Sequence, residues 1–309
     1  MKQCYWGMAM LLLLLVTRSG AQAYYFYDDR HYEGPLLTEF GIKSGGINAL
    51  TDLGGKKGNG RKGLKDLNLI FTKPCISFYS VLHYKNCVGL RLQYTSGSVT
   101  AADSILKKSR ATNHGRYERN LSFRSPIREL ALTVEIHLIS IINAAGMNKG
   151  LPRLSPFLMA GIGFYSFNPQ AKWEDRWFPL QPLHTEGQGF TIYPERKPYS
   201  LQQGNLLVGG GLKYEINAWL NGRIEILHRF LRTDYLDDVS LDSYVDPGLF
   251  ARELTPSLAR LARALSDRRA EVDPGHITNT SYQRGNPNNK DGYFTVEIGL
   301  GVVLGRSRR

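Results

Sequence analysis

Residues 216–240 read INAWLNGRIEILHRFLRTDYLDDVS, and apolar and polar side chains alternate through the middle of this segment. One face carries Leu220, Ile224, Ile226 and Phe230, and the other carries Asn221, Arg223, Glu225 and Arg229. Successive side chains of an extended chain point to opposite faces, so this period of two predicts a β-strand over residues 220–232. Its polar face carries charges of both signs at mid-strand, and the strand is longer than the usual five or six residues or so. These features favour a barrel with lipid outside and an ion-paired interior.

Seven further segments show the same alternation. They are residues 36–49, 75–84, 88–100, 129–138, 155–167, 205–216 and 294–304. Eight is an even number, as in bacterial single-chain outer-membrane barrels, and long connections alternate with short ones. The sequence therefore predicts an all-β fold: an eight-stranded antiparallel transmembrane β-barrel with long loops on one side and periplasmic termini. A soluble lipocalin-like barrel or sandwich, with its apolar faces turned inward, is the structural alternative.

Charged residues recur on the predicted inner faces of these strands. The set comprises Glu39, Lys43, Arg91, Glu129, Glu135, Arg223, Glu225, Arg229 and Glu297, with Lys213 as a further member. An interior of eight strands is just wide enough for side chains to fill, and unpaired buried charge is costly. We therefore expect these residues to form a paired network that plugs the barrel.

One amphipathic helix is predicted in the last long loop. Thr255 is the expected N-cap, with Pro256 in the first helical position. The expected apolar stripe consists of Leu258, Leu261 and Leu265, and the sequence DPG at residues 273–275 is expected to end the helix. Such a helix would pack on the rim of the barrel, with a position on the bilayer surface as the alternative.

The N-terminus resembles an export signal. Residues 1–23 contain Lys2, an apolar run at residues 8–16 and the sequence AQA at residues 21–23, which predicts a cleaved signal peptide and a barrel domain over residues 24–309. A single transmembrane anchor is the weaker alternative, because the apolar run is shorter than about 20 residues. Cys75 and Cys87 remain in the mature chain, and the expected strand pairing sets Cys75 opposite a residue near 95, which argues against a disulfide.

The net charge of +12 is scattered along the chain apart from residues 56–65 and the terminal residues 306–309. Nothing resembling a recognition helix or an RNA-binding aromatic motif accompanies it, so nucleic acid is not an expected partner. The sequence has no metal-binding cysteine or histidine spacing and no GxSxG motif, and the triplet at residues 209–211 lacks the ending of a phosphate loop. We expect neither enzyme activity, a cofactor, a metal nor a small-molecule substrate.

Two weaker chemical signals were weighed against simpler interpretations. Glu135 and His137 share a strand face and resemble an acid–base pair, but a satisfied interior pair is the more common arrangement. The acidic set Asp234, Asp237, Asp238, Asp242 and Asp246 has the oxygen-rich character of a calcium site without the EF-hand spacing. Loop capping and pairing with basic neighbours is the simpler interpretation of that set.

Several stretches together resemble one known family. They are FRSPIRE at residues 123–129, FLMAGIGFYSFNP at 157–169, PLHTEGQG at 182–189, DYLDDVS at 234–240 with YVD at 244–246, and RGN at 284–286. With them the mature chain is similar to the PorG-like outer-membrane barrels of Bacteroidetes, a domain family otherwise of unknown function. The resemblance implies a structural component of the type IX secretion system in the cell outer membrane, whose partners are outer-membrane lipid and periplasmic secretion-ring proteins. The alternative is an adhesin-like or lipid-binding barrel whose loops carry the function.

Loops held by a rigid scaffold often carry function. We therefore expect the periplasmic turns to be contact surfaces, and two loops from the stretches that resemble this family to form a further contact surface. Its residues are Thr185, Glu186, Gly187, Gln188, Gly189, Asp234, Tyr235, Asp237 and Asp238.

Overall fold

A computed structural model describes residues 25–28, 31–54, 69–109, 114–145 and 153–308. The signal peptide predicted for residues 1–23 and the whole basic loop at residues 56–65 lie outside the described residues. The strands are β1 (Tyr25–Asp28), β2 (His31–Leu50), β3 (Lys73–Tyr84), β4 (Val88–Ala102), β5 (Ser122–His137), β6 (Leu154–Phe167), β7 (Gln170–Trp173), β8 (Arg176–Pro179), β9 (Gln202–Asn217), β10 (Leu220–Leu231) and β11 (Gly292–Arg308). The helices are α1 (His114–Arg119), α2 (Leu138–Ala145), α3 (Pro247–Glu253) and α4 (Pro256–Ser266), with short 3-10 segments at Leu69–Phe71, Asp103–Ser109, Gln181–Leu183 and Arg269–Glu271.

Eight strands close into a barrel. Their order is β4-β3-β2-β11-β10-β9-β6-β5, and β4 also pairs with β5, so the sheet has no free edge. All of these pairings are antiparallel. The short strand β1 pairs with β2. The hairpin formed by β7 and β8 adds to the sheet where β7 pairs with β5. The predicted eight-stranded antiparallel barrel is therefore confirmed.

Apolar side chains cover the outside of the barrel. Phe40, Leu132 and Ile298 are examples on three strands, and Ile298 is 65% exposed. The inward faces hold charged side chains instead, and Arg91 and Arg223 are at most 1% exposed. A barrel that is apolar outside and ionic inside is built for a lipid bilayer, so the soluble alternative is wrong and the chain is an outer-membrane barrel. In the part of the chain that the structure describes, no helix is long and apolar enough to cross a membrane.

The connections follow the predicted alternation of long and short. Three-residue and two-residue turns join β3 to β4 and β9 to β10, whereas residues 232–291 join β10 to β11. The connection after β5 differs from the prediction, because β5 ends at His137 and Leu138 begins helix α2. In outer-membrane barrels the short turns are periplasmic and the long loops extracellular, so α2 lies on the periplasmic side.

The strands extend beyond the predicted limits at the long-loop end. Residues 101–125 were expected to form a loop, yet β4 continues to Ala102 and β5 begins at Ser122. The reason is apolar packing inside the extension, where Ala101, Phe123 and Ile127 are buried in one cluster with aromatic residues from β6 and β11. Burying such side chains stabilises the extended pairing. This apolar layer closes the extracellular mouth above the charged interior.

Phe294 departs from its predicted lipid-facing position. It lies at the loop end of β11, paired with Asn48 of β2 and His228 of β10, and it is buried. Asn48 donates to the Thr72 hydroxyl in the β2–β3 connection. The connection therefore covers this part of the outer face, which is not available to lipid.

The long loops fold around a second apolar cluster. Helix α4 begins after Thr255 with Pro256 in its first turn, as predicted, but it ends at Ser266 rather than near residue 273. Its buried face is formed by Ala259, Ala262 and Leu265, whereas Leu258 and Leu261 are only partly buried. These residues pack against the β6–β9 connection, including Leu183 and Phe190, rather than on the barrel rim. The two longest loops therefore form one cap with its own core.

Candidate functional site

The centre of the lumen holds an ion-pair network that connects different walls of the barrel. Arg91 of β4 makes two hydrogen bonds to Glu225 of β10, each 2.7 Å long, and also pairs with Glu135 of β5. Arg223 of β10 donates from Nε to Glu39 Oε1 at 2.6 Å and from Nη1 to Glu135 Oε2 at 3.2 Å. All five side chains are buried. Charge-assisted and two-pronged bonds of this kind are the strong ones, so they hold the walls at fixed separations.

Lys43 completes the central layer. Its Nζ lies 2.5 Å from Glu225 Oε2 and 3.6 Å from Glu297 Oε2. Glu297 also accepts a hydrogen bond of 2.6 Å from the Ser77 hydroxyl, and Lys43 donates to Gln93 at 2.9 Å. Each charged group in this layer therefore has both an opposite charge and further polar partners.

Separate pairs occupy the two ends of the lumen. Towards the extracellular mouth, Arg229 donates to Glu129 at 2.9 Å, and Glu129 also accepts a hydrogen bond of 2.8 Å from the Tyr293 hydroxyl. Towards the periplasm, Glu215 lies 3.1 Å from Arg306 and 3.7 Å from Lys213.

The buried charges of the barrel interior balance within the described residues. Six are basic and six are acidic: Lys43, Arg91, Lys213, Arg223, Arg229 and Arg306 against Glu39, Glu129, Glu135, Glu215, Glu225 and Glu297. A neutral total lets every carboxylate meet a cation without an additional ion. The packed, balanced interior acts as a plug.

Glu135, His83 and His137 form the one set in the described residues with spacing suitable for a metal ion, since one ligand atom from each lies within 4.8 Å of the others. Two histidines and a carboxylate are common metal ligands. Here, however, Glu135 already pairs with Arg91 and Arg223. A dication would bring uncompensated positive charge beside two guanidinium groups, so the set fits a satisfied interior cluster better than a metal site. Glu135 and His137 are both fully buried. An acid–base pair must reach its substrate, so this arrangement fits a satisfied interior pair.

The two loops predicted to form a contact surface are joined to each other instead. Seven of the nine predicted residues are buried, whereas Gly189 is exposed and Tyr235 is half-buried. Glu186 pairs with Arg284 and accepts hydrogen bonds from the backbone amides of Ser240 and Leu241. A buried carboxylate needs such partners, so these side chains join the two loops to each other, and a contact surface for a partner at these loops stays a prediction.

Asp238 takes part in the same junction. It accepts hydrogen bonds from the Thr185 hydroxyl and, at 2.7 Å, from the Tyr199 hydroxyl, while Arg284 donates to the Asp238 carbonyl at 3.0 Å. Burial raises the pKa of Asp238 to about 6, although the Arg284 guanidinium opposes this shift. Three of the stretches that resemble the PorG-like family, at residues 182–189, 234–240 and 284–286, therefore meet in one hydrogen-bonded junction.

Two features of the extracellular loops are not evident from the sequence. Arg119 forms a two-pronged pair with Asp103, at 2.7 and 2.9 Å, and ties α1 to the 3-10 segment after β4. The expected acidic set is also divided differently: Asp246 caps α3, whereas Asp52 and Asp291 lie near Asp234 and Asp237. Only the strand pairing reveals this grouping, because Asp52 and Asp291 are remote in sequence.

No family model and no curated protein matches the sequence. Solved structures with a similar arrangement of strands include OprG of Pseudomonas aeruginosa, with 11% identity over 86% of this chain and 95% of that chain at a TM-score of 0.37. Ail of Yersinia pestis is similar at 8% identity over 87% and 99% of the two chains, with a TM-score of 0.36. Neisserial surface protein A is similar at 6% identity over 87% and 97%, also with a TM-score of 0.36. At these values the likeness adds nothing to what the strand pairing already establishes.

Proposed function

We propose that this barrel is a non-enzymatic structural component of the type IX protein secretion machinery, which anchors or positions its periplasmic ring. The observation that carries the proposal is the ion-paired lumen, in which Arg91 and Glu225 join opposite walls. Among the described residues the lumen is filled by paired side chains and leaves no path for cargo, which supports a role in holding a fixed position in the membrane. The resemblance to the PorG-like barrels adds the identity of the machine.

The periplasmic side offers one apolar surface for such a partner. Helix α2 exposes Ile141 and Ile142, and Ile142 is 68% exposed. Exposed apolar residues on a periplasmic helix are suited to contact with a ring protein. We therefore expect α2, together with the short turns, to carry the interaction.

A deletion strain tests the proposal. Loss of type IX cargo from the cell surface with cargo retained in the periplasm is the expected result, and complementation by the intact gene should reverse it. Normal cargo secretion, with no ring protein copurifying with the barrel, would overturn the secretion role and leave the barrel assignment intact.

A pair of matched variants then locates the contact. Ile142→Ser changes the periplasmic helix, and Ile192→Ser changes an exposed isoleucine of the extracellular cap. Both should reach the outer membrane in normal amounts. Ring proteins should be lost from pull-downs of Ile142→Ser and retained with Ile192→Ser.

The second candidate is an adhesin-like or lipid-binding barrel that acts through its loops. It is favoured by the cap, since two long loops with their own apolar core present a shaped extracellular surface. The test measures how well cells bind to host surfaces or to lipid vesicles. Cells that lack the protein are compared with the parent strain. A loss of binding with normal cargo secretion would support it over the secretion role.

A further inference from the structure

Four aspartates meet at the extracellular ends of three adjacent barrel strands. Leu50 at the end of β2 pairs with Gly292 at the start of β11, which in turn pairs with Phe230 near the end of β10. Asp52 follows β2, Asp291 precedes β11, and Asp234 and Asp237 follow β10. The register therefore gathers carboxylates that lie far apart in the sequence.

Backbone contacts hold the members of this group, the aspartate cluster, in place. Asp291 Oδ2 accepts a hydrogen bond of 2.9 Å from the Leu236 amide, between Asp234 and Asp237 in sequence. Asp237 Oδ1 accepts one of 3.0 Å from the Val239 amide. Asp52 accepts from the Asn286 amide at 2.7 Å. Asp52 also accepts from the Asn289 side-chain amide at 3.2 Å, so both of its oxygens are engaged, whereas Asp237 and Asp291 are each held by one oxygen.

The other oxygens of Asp237 and Asp291 and both oxygens of Asp234 make no hydrogen bond of good geometry, although the Thr51 and Ser240 hydroxyls lie near Asp237 and Asp234. Asp237 and Asp291 are 1% and 2% exposed, yet Asp237 Oδ2 and Asp291 Oδ1 have no hydrogen-bond partner in the structure as described. Asp234 is 9% exposed, and both of its carboxylate oxygens also lack a hydrogen-bond partner. No ion pair joins these three carboxylates to a basic side chain within the described ranges. Unpartnered buried carboxylates are strongly unfavourable unless a cation or a proton neutralises them.

We infer that Asp234, Asp237 and Asp291, with Asp52 beside them, bind a divalent cation of the calcium type between the ends of β2, β10 and β11. Ca²⁺ takes carboxylate and carbonyl oxygens in flexible geometry, and extracellular modules bind it with dissociation constants of about 10⁻⁴–10⁻³ M. Among the described residues, no three of these carboxylates have oxygens within 4.8 Å of one another. Like charges repel, so a bound cation would draw the oxygens inward and tighten the junction between the three strands.

A shared proton is the competing way to neutralise the aspartate cluster. Burial and the neighbouring carboxylates raise the pKa of Asp237 and of Asp291 well above the usual range. Burial also raises the pKa of Asp234 to about 8. These directions are those of carboxylates close together without a counter-charge, and a cation reverses them by favouring the ionised form.

Calcium titration of the full-length barrel in detergent tests the inference. The protein is stripped with chelator at pH 7.5, and CaCl₂ binding is measured by calorimetry with MgCl₂ as a parallel arm. We expect one Ca²⁺ per chain with a dissociation constant at or below about 1 mM, together with proton release on binding. The titration extends to about 10 mM CaCl₂, roughly ten times the highest expected dissociation constant. Absence of Ca²⁺ binding over this range would overturn the inference.

Matched variants identify the ligands. Asp291→Asn and Asp237→Asn should weaken Ca²⁺ binding at least roughly tenfold, as loss of one charged ligand from an oxygen site does. Asp242→Asn removes the same charge from an exposed position of the same loop and should leave binding unchanged. Ca²⁺ binding that is unaltered in Asp291→Asn would show that the cation binds elsewhere and would overturn the inference. An Asp291→Asn protein that is stabilised to the same extent with and without Ca²⁺ would show a shared proton instead. If a variant fails to fold, proton release by the unaltered protein still decides between the two.

Discussion

Arg91 and Glu225 form a two-pronged ion pair straight across the barrel, with both nitrogen–oxygen distances at 2.7 Å. In the closed strand order, β4 and β10 stand four places apart among eight strands, so the pair joins opposite walls. Both side chains are buried. A single interaction that spans the lumen makes the packing of the interior depend on matched charge.

Glu225→Leu should therefore destabilise the barrel strongly. It would leave Arg91 and Lys43 without their shared carboxylate, and removing one partner of a buried pair costs about 3–5 kcal/mol. The free energy of unfolding in detergent, followed by urea titration and by heat modifiability on gels, measures the loss. Ile224→Leu on the lipid face is the control and should change little.

A double substitution separates charge matching from packing. Arg91→Met together with Glu225→Leu restores a neutral interior and should be more stable than Glu225→Leu alone. A double variant that loses the full sum of the two single effects would contradict the role given to charge balance.

Much of this arrangement could be predicted from period-two alternation. Arg223 is charged and Ile224 is apolar, so the polarity of consecutive residues identifies the inward and outward faces of β10. The alternation cannot reveal which charges meet, because Arg91 and Glu225 lie on strands that do not pair. It also gave the wrong end for β4 and the wrong start for β5, since the extension turns apolar residues such as Phe123 inward.

The loops were harder to predict for a related reason. Glu186 lies in a polar stretch that resembles a surface turn, and its burial depends on Arg284, almost one hundred residues later. The stripe of α4 was misjudged because Ala259 and Ala262 are small enough to lie against the neighbouring loop, whereas Leu258 and Leu261 lie at its margin.

Glu186→Gln should loosen the cap without unfolding the barrel. The change removes the counter-charge of the buried Arg284 and weakens the acceptor for two backbone amides. We expect faster proteolysis within residues 182–199 and 234–245 at unchanged heat modifiability. Glu195→Gln, at an exposed glutamate of the same loop, serves as the control and should be cut at the parental rate.

The stability of the cap should fall as the pH rises in the presence of chelator. The pKa of Asp238 is raised to about 6 and that of Asp234 to about 8, so the folded state binds more protons than the unfolded chain between about pH 4 and 8. A raised carboxyl pKa contributes stability at low pH that is lost as the pH passes through the folded-state value. Protease protection of the cap, measured from pH 5 to 8.5, should decline, and Asp234→Asn should flatten the decline. Protection that increases over this range would contradict the assignment.

Ion conductance in planar bilayers tests the closed lumen most directly. In the part of the chain that the structure describes, six buried bases and six buried acids fill the interior, and an apolar layer that includes Phe123 and Ile127 lies at the extracellular mouth. Purified protein inserted into a bilayer should show no steady current at either polarity, whereas a porin of known conductance in the same membrane should. A stable, open-channel current from the unaltered protein would contradict the plugged, structural barrel described here.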